Sequence, residues 1–302
     1  MTLAYRTDAL GFAGQAGGPS HLAGLTDLPG SWGQQRSART ISIACGRSGV
    51  GKTTIAANIA LCLSKMHRRA MLVDCDPGPL DATRSMGFDP HESIDDVIGG
   101  RLTVDQIVVD GPEALFVVPA GPTDVAGHID LAARLKLADA FRPHRRSLDF
   151  VIVDTPGSGD PDTLDMVASA DLPIVVLAPD SERFMDAYGT VKLLALDHDL
   201  ADISIVTNRT ADDAMGRELF RRFRDVASRF LGHTMLNHLG NIPHDERVRT
   251  AAARRRLVVD QYPNARAAQA MTQLARTIDS MAIPATTGGD SFFGMEAVFR
   301  AG

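Results

Sequence analysis

The chain has little of what marks secreted, membrane-spanning or nucleic-acid-coating proteins. Its 302 residues include 3 cysteines, too few for a disulfide framework. Cys45, Cys62 and Cys75 fall in apolar stretches and are expected to be reduced, packed thiols of a cytoplasmic protein. No run reaches the roughly 18 consecutive apolar residues of a membrane span. No apolar core follows a basic start after Met1, so no signal peptide is expected. Positive charge is in deficit as well: 31 Lys and Arg against 37 Asp and Glu give a net charge of −6. That excludes a global field for recruiting nucleic acid or an anionic membrane, and makes specific nucleic-acid binding an unlikely function. The remainder, 44% hydrophobic, suffices for one large α/β core or two small ones.

One stretch organises the chain. Ile41–Cys45 is a short, β-branched apolar run that reads as a buried strand, and a helical pattern with many alanines opens near Thr54. Between them lie Gly46, Arg47, Ser48, Gly49, Val50, Gly51, Lys52 and Thr53, with the spacing of a phosphate-binding loop. Glycines let the backbone fold tightly enough for its N–H groups to converge on phosphate oxygens, and the following helix turns its positive end to the same anion. Lys52 supplies a mobile charge for the β- and γ-phosphates, and the Thr53 hydroxyl can ligate Mg²⁺. ATP or ADP with Mg²⁺ is the expected ligand.

Strand-like runs recur at Ala70–Asp74, Leu115–Pro119, Phe150–Asp154, Pro173–Ala178 and Ile203–Thr207, with a weaker one near Leu239–Ile242. Helical patterns lie at Thr53–Met66, Thr163–Ala168, Met185–Leu196, Ala211–Phe230, Val248–Arg254 and Ala265–Ala282. Near-continuous apolar strands alternating with helices indicate an α/β fold with a parallel sheet covered on both faces, and ligands bound beyond the carboxyl ends of the strands. Two strands end in carboxylates. Asp74 and Asp76 follow one, and Asp154 closes another ahead of a glycine-containing loop, where an Asp can hold Mg²⁺ and the Gly157 N–H can sense a γ-phosphate.

Residues 46–53, Asp74-Cys-Asp76 and Asp154-Thr-Pro-Gly157 together resemble the deviant-Walker ATPases of the MinD/ParA class. Gly121, residues 186–192, 240–248 and 253–263 make the resemblance most similar to its FlhG (FleN) branch, which regulates flagellar number and placement. It covers about residues 39–283 and implies a three-layer α/β/α P-loop NTPase of the SIMIBI type. It also implies that Lys52 and the 46–54 backbone, Thr54 included, bind phosphates, that Thr53, Asp74 and Asp154 surround the metal, and that Asp76 positions the attacking water. Asn208 matches the position that reads the adenine edge, with Arg209 beside it and the Pro243–Asp245 loop closing over the base; without the resemblance, Asn208 reads equally as a strand-end cap. An ATP-bridged homodimer and the flagellar GTPase FlhF, or other flagellar basal-body or regulatory proteins, are the implied partners. Two departures stand out. Arg47-Ser48 replaces the family's Lys-Gly, and the short Asp-Gln-Ala motif that stimulates FlhF survives at most as Asp8-Ala-Leu10.

Three divisions follow: a tail over 1–38 too rich in small and polar residues to bury a core, an ATPase domain over 39–283, and a linker with a short amphipathic segment over 284–302. In the last, Phe292, Met295 and Phe299 share one helical face; weak peripheral membrane binding and packing on its own domain or a partner remain open. Arg221–Arg224 and Arg254–Arg256 read as solvated helix ends. The expected function is an ATP-dependent dimerising switch with slow hydrolysis. A ParA-type DNA- or cargo-partitioning ATPase and a nucleotide-binding adaptor are the alternatives.

Overall fold

The computed structural model describes residues 38–282, apart from Ser48, 77–81, 122–128 and 145–146. The tail over 1–37 and the amphipathic segment over 291–302 lie outside the described residues. Eight strands form one sheet: β1 (Arg39–Ala44), β2 (Ala70–Asp74), β3 (Val109–Asp110), β4 (Phe116–Val118), β5 (Phe150–Asp154), β6 (Leu172–Leu177), β7 (Asp202–Thr210) and β8 (Met235–Pro243). Their order is β3-β4-β2-β5-β1-β6-β7-β8. Every pairing is parallel except the short β3–β4 contact.

Helices connect the strands. They are α1 (Lys52–Lys65), α2 (Ala82–Ser85), α3 (Ile94–Ile98), α4 (Val104–Ile107), α5 (Leu131–Phe141) and α6 (Pro161–Ala168) in the first half. The second half holds α7 (Ser181–Leu196), α8 (Asp213–Ala227), α9 (Glu246–Ala253), α10 (Val258–Gln261) and α11 (Arg266–Ser280). Alternate strand side chains point to opposite faces, and the core divides accordingly. Ile41, Ile43, Leu72, Ile152 and Ile174 pack under α1, α10 and α11. Met71, Val73, Val151 and Val153 face α3–α5, while Val175, Leu177 and Ile205 face α6–α8. The expected three-layer α/β/α architecture with a mostly parallel sheet is therefore present.

Several elements differ from the sequence expectation, each for a local reason. The strand expected only near Leu239–Ile242 runs over nine residues, Met235–Pro243; it is the sheet edge, and its half-exposed side chains dilute the apolar signal. Helix α5 was not expected at all. Its buried face contains Arg134, whose Nη2 meets Asp165 at 2.6 Å and Asp162 at 3.6 Å, so a charge interrupts the apolar period. Helices α3 and α4 are short, but both open with capping boxes, Ser93/Asp96 and Thr103/Gln106, a signal that could have located them. Helix α7 begins a full turn before the expected Met185, capped by Asp180.

Candidate functional site

The crossover point of the sheet lies at β1, flanked by β5 and β6, and the loop after β1 is the phosphate loop. Its backbone is shaped by glycines for separate reasons. Gly46 packs so tightly on α7 that an added Cβ would stand 2.6 Å from the Asp186 carbonyl oxygen. Gly49 and Gly51 have φ of 86° and 104°, left-handed values that side chains resist. Gly51 is the N-cap of α1 and offers no side-chain cap, so the first-turn N–H groups remain available to an anion. Val50 is buried and Arg47 lies exposed. Ser48 lies outside the described residues.

Lys52 is buried, and its Nζ sits 3.3 Å from Asp76 Oδ2. Thr53 and Thr54 are half-buried in the first turn of α1. Parallel register places Asp74 opposite Asp154 on β2 and β5. The two carboxylates then diverge. Asp74 Oδ1 accepts the Asp76 N–H at 3.0 Å and Oδ2 accepts the Ala82 N–H at 2.7 Å. It thus accepts backbone N–H groups from either side of residues 77–81. Asp154 is fully buried, and among the described residues neither of its oxygens has a partner at hydrogen-bond distance, with the Thr53 hydroxyl the nearby donor. Burial pushes its pKa up to about 7 against the pull of Lys52 and the nearby Thr53 hydroxyl.

That orphaned carboxylate fits a bound cation. Mg²⁺ at triphosphate sites takes one or two protein groups, with phosphate and water completing its shell. Among the described residues there is no cluster of three or more His, Cys, Asp or Glu able to hold a metal unaided, and none is needed. Thr53 and Asp154 are the protein groups the geometry leaves for it.

The residues expected to border a base come from β7 and β8 and the loop after β8. Asn208 Nδ2 donates to the Val50 carbonyl at 2.8 Å, and its Oδ1 accepts the Arg209 N–H at 2.9 Å. Asn208 is thus a strand-end clasp on the loop, as its reading without the resemblance has it. Pro243 is buried and pairs with Thr210 across β7 and β8. Asp245 caps α9 through the Arg247 N–H at 2.9 Å and reaches the Ala267 N–H at 3.3 Å. Burial opposes its charge, but these backbone donors hold its pKa below the ordinary value.

On the opposite rim Arg47 Nε lies 3.8 Å from Asp186 Oδ2 on α7. Sequence reasoning missed a neighbour, Arg183, whose Nη2 stands over Gly49; it belongs to the turn of α7 that periodicity did not reveal. The basic runs are solvated as expected: Arg221 pairs with Glu218 and Asp225 within α8. No helix among the described residues is long and apolar enough to cross a membrane.

With this geometry in hand, the likenesses are specific. A family model described as an AAA domain matches residues 38–200. Antiactivator FleN of Pseudomonas aeruginosa is 31% identical over 89% of this chain and 96% of its own. The chain belongs to the MinD/ParA family of P-loop ATPases. The flagellum site-determining protein YlxH of Helicobacter pylori is 24% identical to this MinD/ParA ATPase, over 86% of this chain and 88% of its own. The fold agrees with that of the septum site-determining protein MinD from Pyrococcus horikoshii, solved in complex with Mg-ADP. The TM-score is 0.64 at 23% identity, covering 83% of this chain and 100% of that one.

Proposed function

We propose that this MinD/ParA ATPase is a Mg²⁺-dependent switch that dimerises on ATP, resets by slow hydrolysis, and sets flagellar number or placement. The observation that carries the chemistry is the buried, unpartnered Asp154 carboxylate beside Lys52 and Thr53. A charge left without a partner in the interior is costly unless a ligand completes it. Mg²⁺, when bound, supplies charge neutralisation of the phosphates and orients them.

The chain's own groups then divide the task. Backbone N–H groups over 46–54 receive the phosphates. Lys52 exchanges Asp76 for the incoming triphosphate, which leaves the Asp76 carboxylate to orient and deprotonate the attacking water. Asp74 positions Asp76 by accepting its backbone N–H. Asn208 and the Pro243–Asp245 loop border the base. Arg47 stands where the family carries its signature lysine, and it is assigned to the partner copy's phosphates in the dimer.

The flagellar assignment draws support from the identity to FleN and the likeness to YlxH. FlhF or another flagellar basal-body or regulatory protein is the corresponding partner. In the same reading, residues 291–302 give the dimer a weak membrane anchor, since two tails gain effective concentration that one lacks. The deciding experiment is the solution mass with MgADP and with MgATP, for wild type and Lys52→Ala. A doubled mass with MgATP alone, lost in the variant, is expected; an unchanged mass removes the switch. Sedimentation with liposomes, full length against a 1–288 truncation, tests the anchor, and equal pelleting removes it.

A further inference from the structure

Two arginines from different elements meet at the outer rim of the phosphate loop. Arg183 sits in the first turn of α7, where its Nη1 pairs with Asp180 at 2.8 Å. Its Nη2 projects over Gly49, 3.8 Å from where a Cβ would stand.

Arg209 arrives from β7 by an unusual backbone. It falls at the register shift between Asn208 and Thr210, with φ of 58°. A bulge of this kind re-aims a side chain out of the strand's alternation. A left-handed, non-glycine residue costs stability, and such strain persists where surrounding structure enforces it. Here the Asn208 side chain enforces it by accepting the Arg209 N–H. The Arg209 guanidinium makes no hydrogen bond or ion pair among the described residues. Burial and the nearby Arg183 charge both lower its pKa, with Asp180 the nearby carboxylate that counters them. Asp180 acts on both guanidinium charges and pairs directly with Arg183.

We propose that Arg183 and Arg209 form a clamp for phosphate oxygens of the nucleotide held by the 46–53 loop. Planar guanidinium forks suit phosphate and give shorter, stronger bonds than neutral donors. The inference rests on nucleotide binding at this loop, and the experiment separates the two.

Calorimetry on the full chain compares MgATP binding by wild type, Arg183→Ala, Arg209→Ala, the double variant and Lys52→Ala, with Arg183→Lys as the conservative replacement. Each single alanine variant is expected to weaken MgATP roughly tenfold, and the double variant by less than the product of the two, because both hold one anion. Lysine at 183 is expected to restore part of the loss, which a merely structural role would not. Alanine keeps the Cβ at 209, so melting without nucleotide should stay near wild type. Displacement by tripolyphosphate should weaken in parallel. Wild-type affinity in both alanine variants, with binding lost in Lys52→Ala, overturns the clamp and leaves the nucleotide site standing. Weakened ATP with unchanged tripolyphosphate overturns the phosphate assignment. Wild-type binding by Lys52→Ala brings down both.

Discussion

The Asn208 carboxamide spans 158 positions of sequence to donate to the Val50 carbonyl at 2.8 Å. The same nitrogen occupies the space that a Cβ on Gly51 would need, at 2.7 Å. The end of β7 and the phosphate loop are thus joined directly by this side chain. Asn208→Ala leaves a buried carbonyl without its donor. It is expected to cost about 1–3 kcal/mol of stability without nucleotide and to weaken nucleotide binding. Chemical denaturation and calorimetry check both; an unchanged denaturation midpoint shows that the bond does not hold the loop.

Asp74 and Asp76 should separate cleanly under mutation. Asp74→Ala strands the N–H groups of Asp76 and Ala82, so the expected loss is stability, about 1–3 kcal/mol. Asp76→Ala removes a half-exposed carboxylate that serves turnover, so it is expected to bind MgATP, hydrolyse it poorly and remain dimeric. An active Asp76→Ala ATPase refutes the role given to Asp76.

The raised pKa of Asp154 makes a statement about pH. The unfolded carboxyl titrates near 3.9, and the folded one at about 7. Between those values the folded state holds a proton that the unfolded state has lost. Stability from this group is therefore fully present below about pH 4 and is lost as pH rises through 7. Asp154→Asn should raise the nucleotide-free melting temperature, more at pH 8 than at pH 5, while weakening Mg²⁺ dependence of binding. An equal gain at both pH values rules out titration of Asp154 as the cause.

Arg47→Ala tests the departure from the family's lysine. Arg47 is exposed and rests loosely on Asp186, so its removal should leave stability within about 0.5 kcal/mol and leave binding of ATP intact. Dimerisation or turnover is expected to fall. If neither changes, Arg47 has no part in the mechanism.

Gly121 closes β4 against the Asp95 carboxylate, with which an added Cβ would collide. Among the described residues the buried Asp95 side chain has no hydrogen-bond partner, and burial raises its pKa. Gly121→Ala is expected to cost more than about 2 kcal/mol through overpacking, and Asp95→Ala in the same chain should recover most of it. Thermal melts of the two singles and the double measure that coupling; additive effects refute the contact.

What could be read from sequence was what neighbours in the chain decide among themselves. The turn after Cys45 needs glycines because its own backbone is left-handed, and Asp154 follows an apolar run because its strand is buried on both faces. Spacing alone reveals such features, and the resemblance carried the roles across. What needed the tertiary structure was every assignment made by a residue's distant contacts. Asp74 and Asp154 look equivalent as strand-end acids, yet the backbone N–H groups of Asp76 and Ala82 satisfy the first, while among the described residues neither oxygen of the second has a partner at hydrogen-bond distance. Helix α5 escapes notice because Arg134 is buried on it, made tolerable only by acids on α6. Arg183 and Arg209 lie 26 positions apart and carry no shared pattern. A helix turn, a strand bulge and a side chain at Asn208 bring them to one rim, and periodicity within either element says nothing of that meeting.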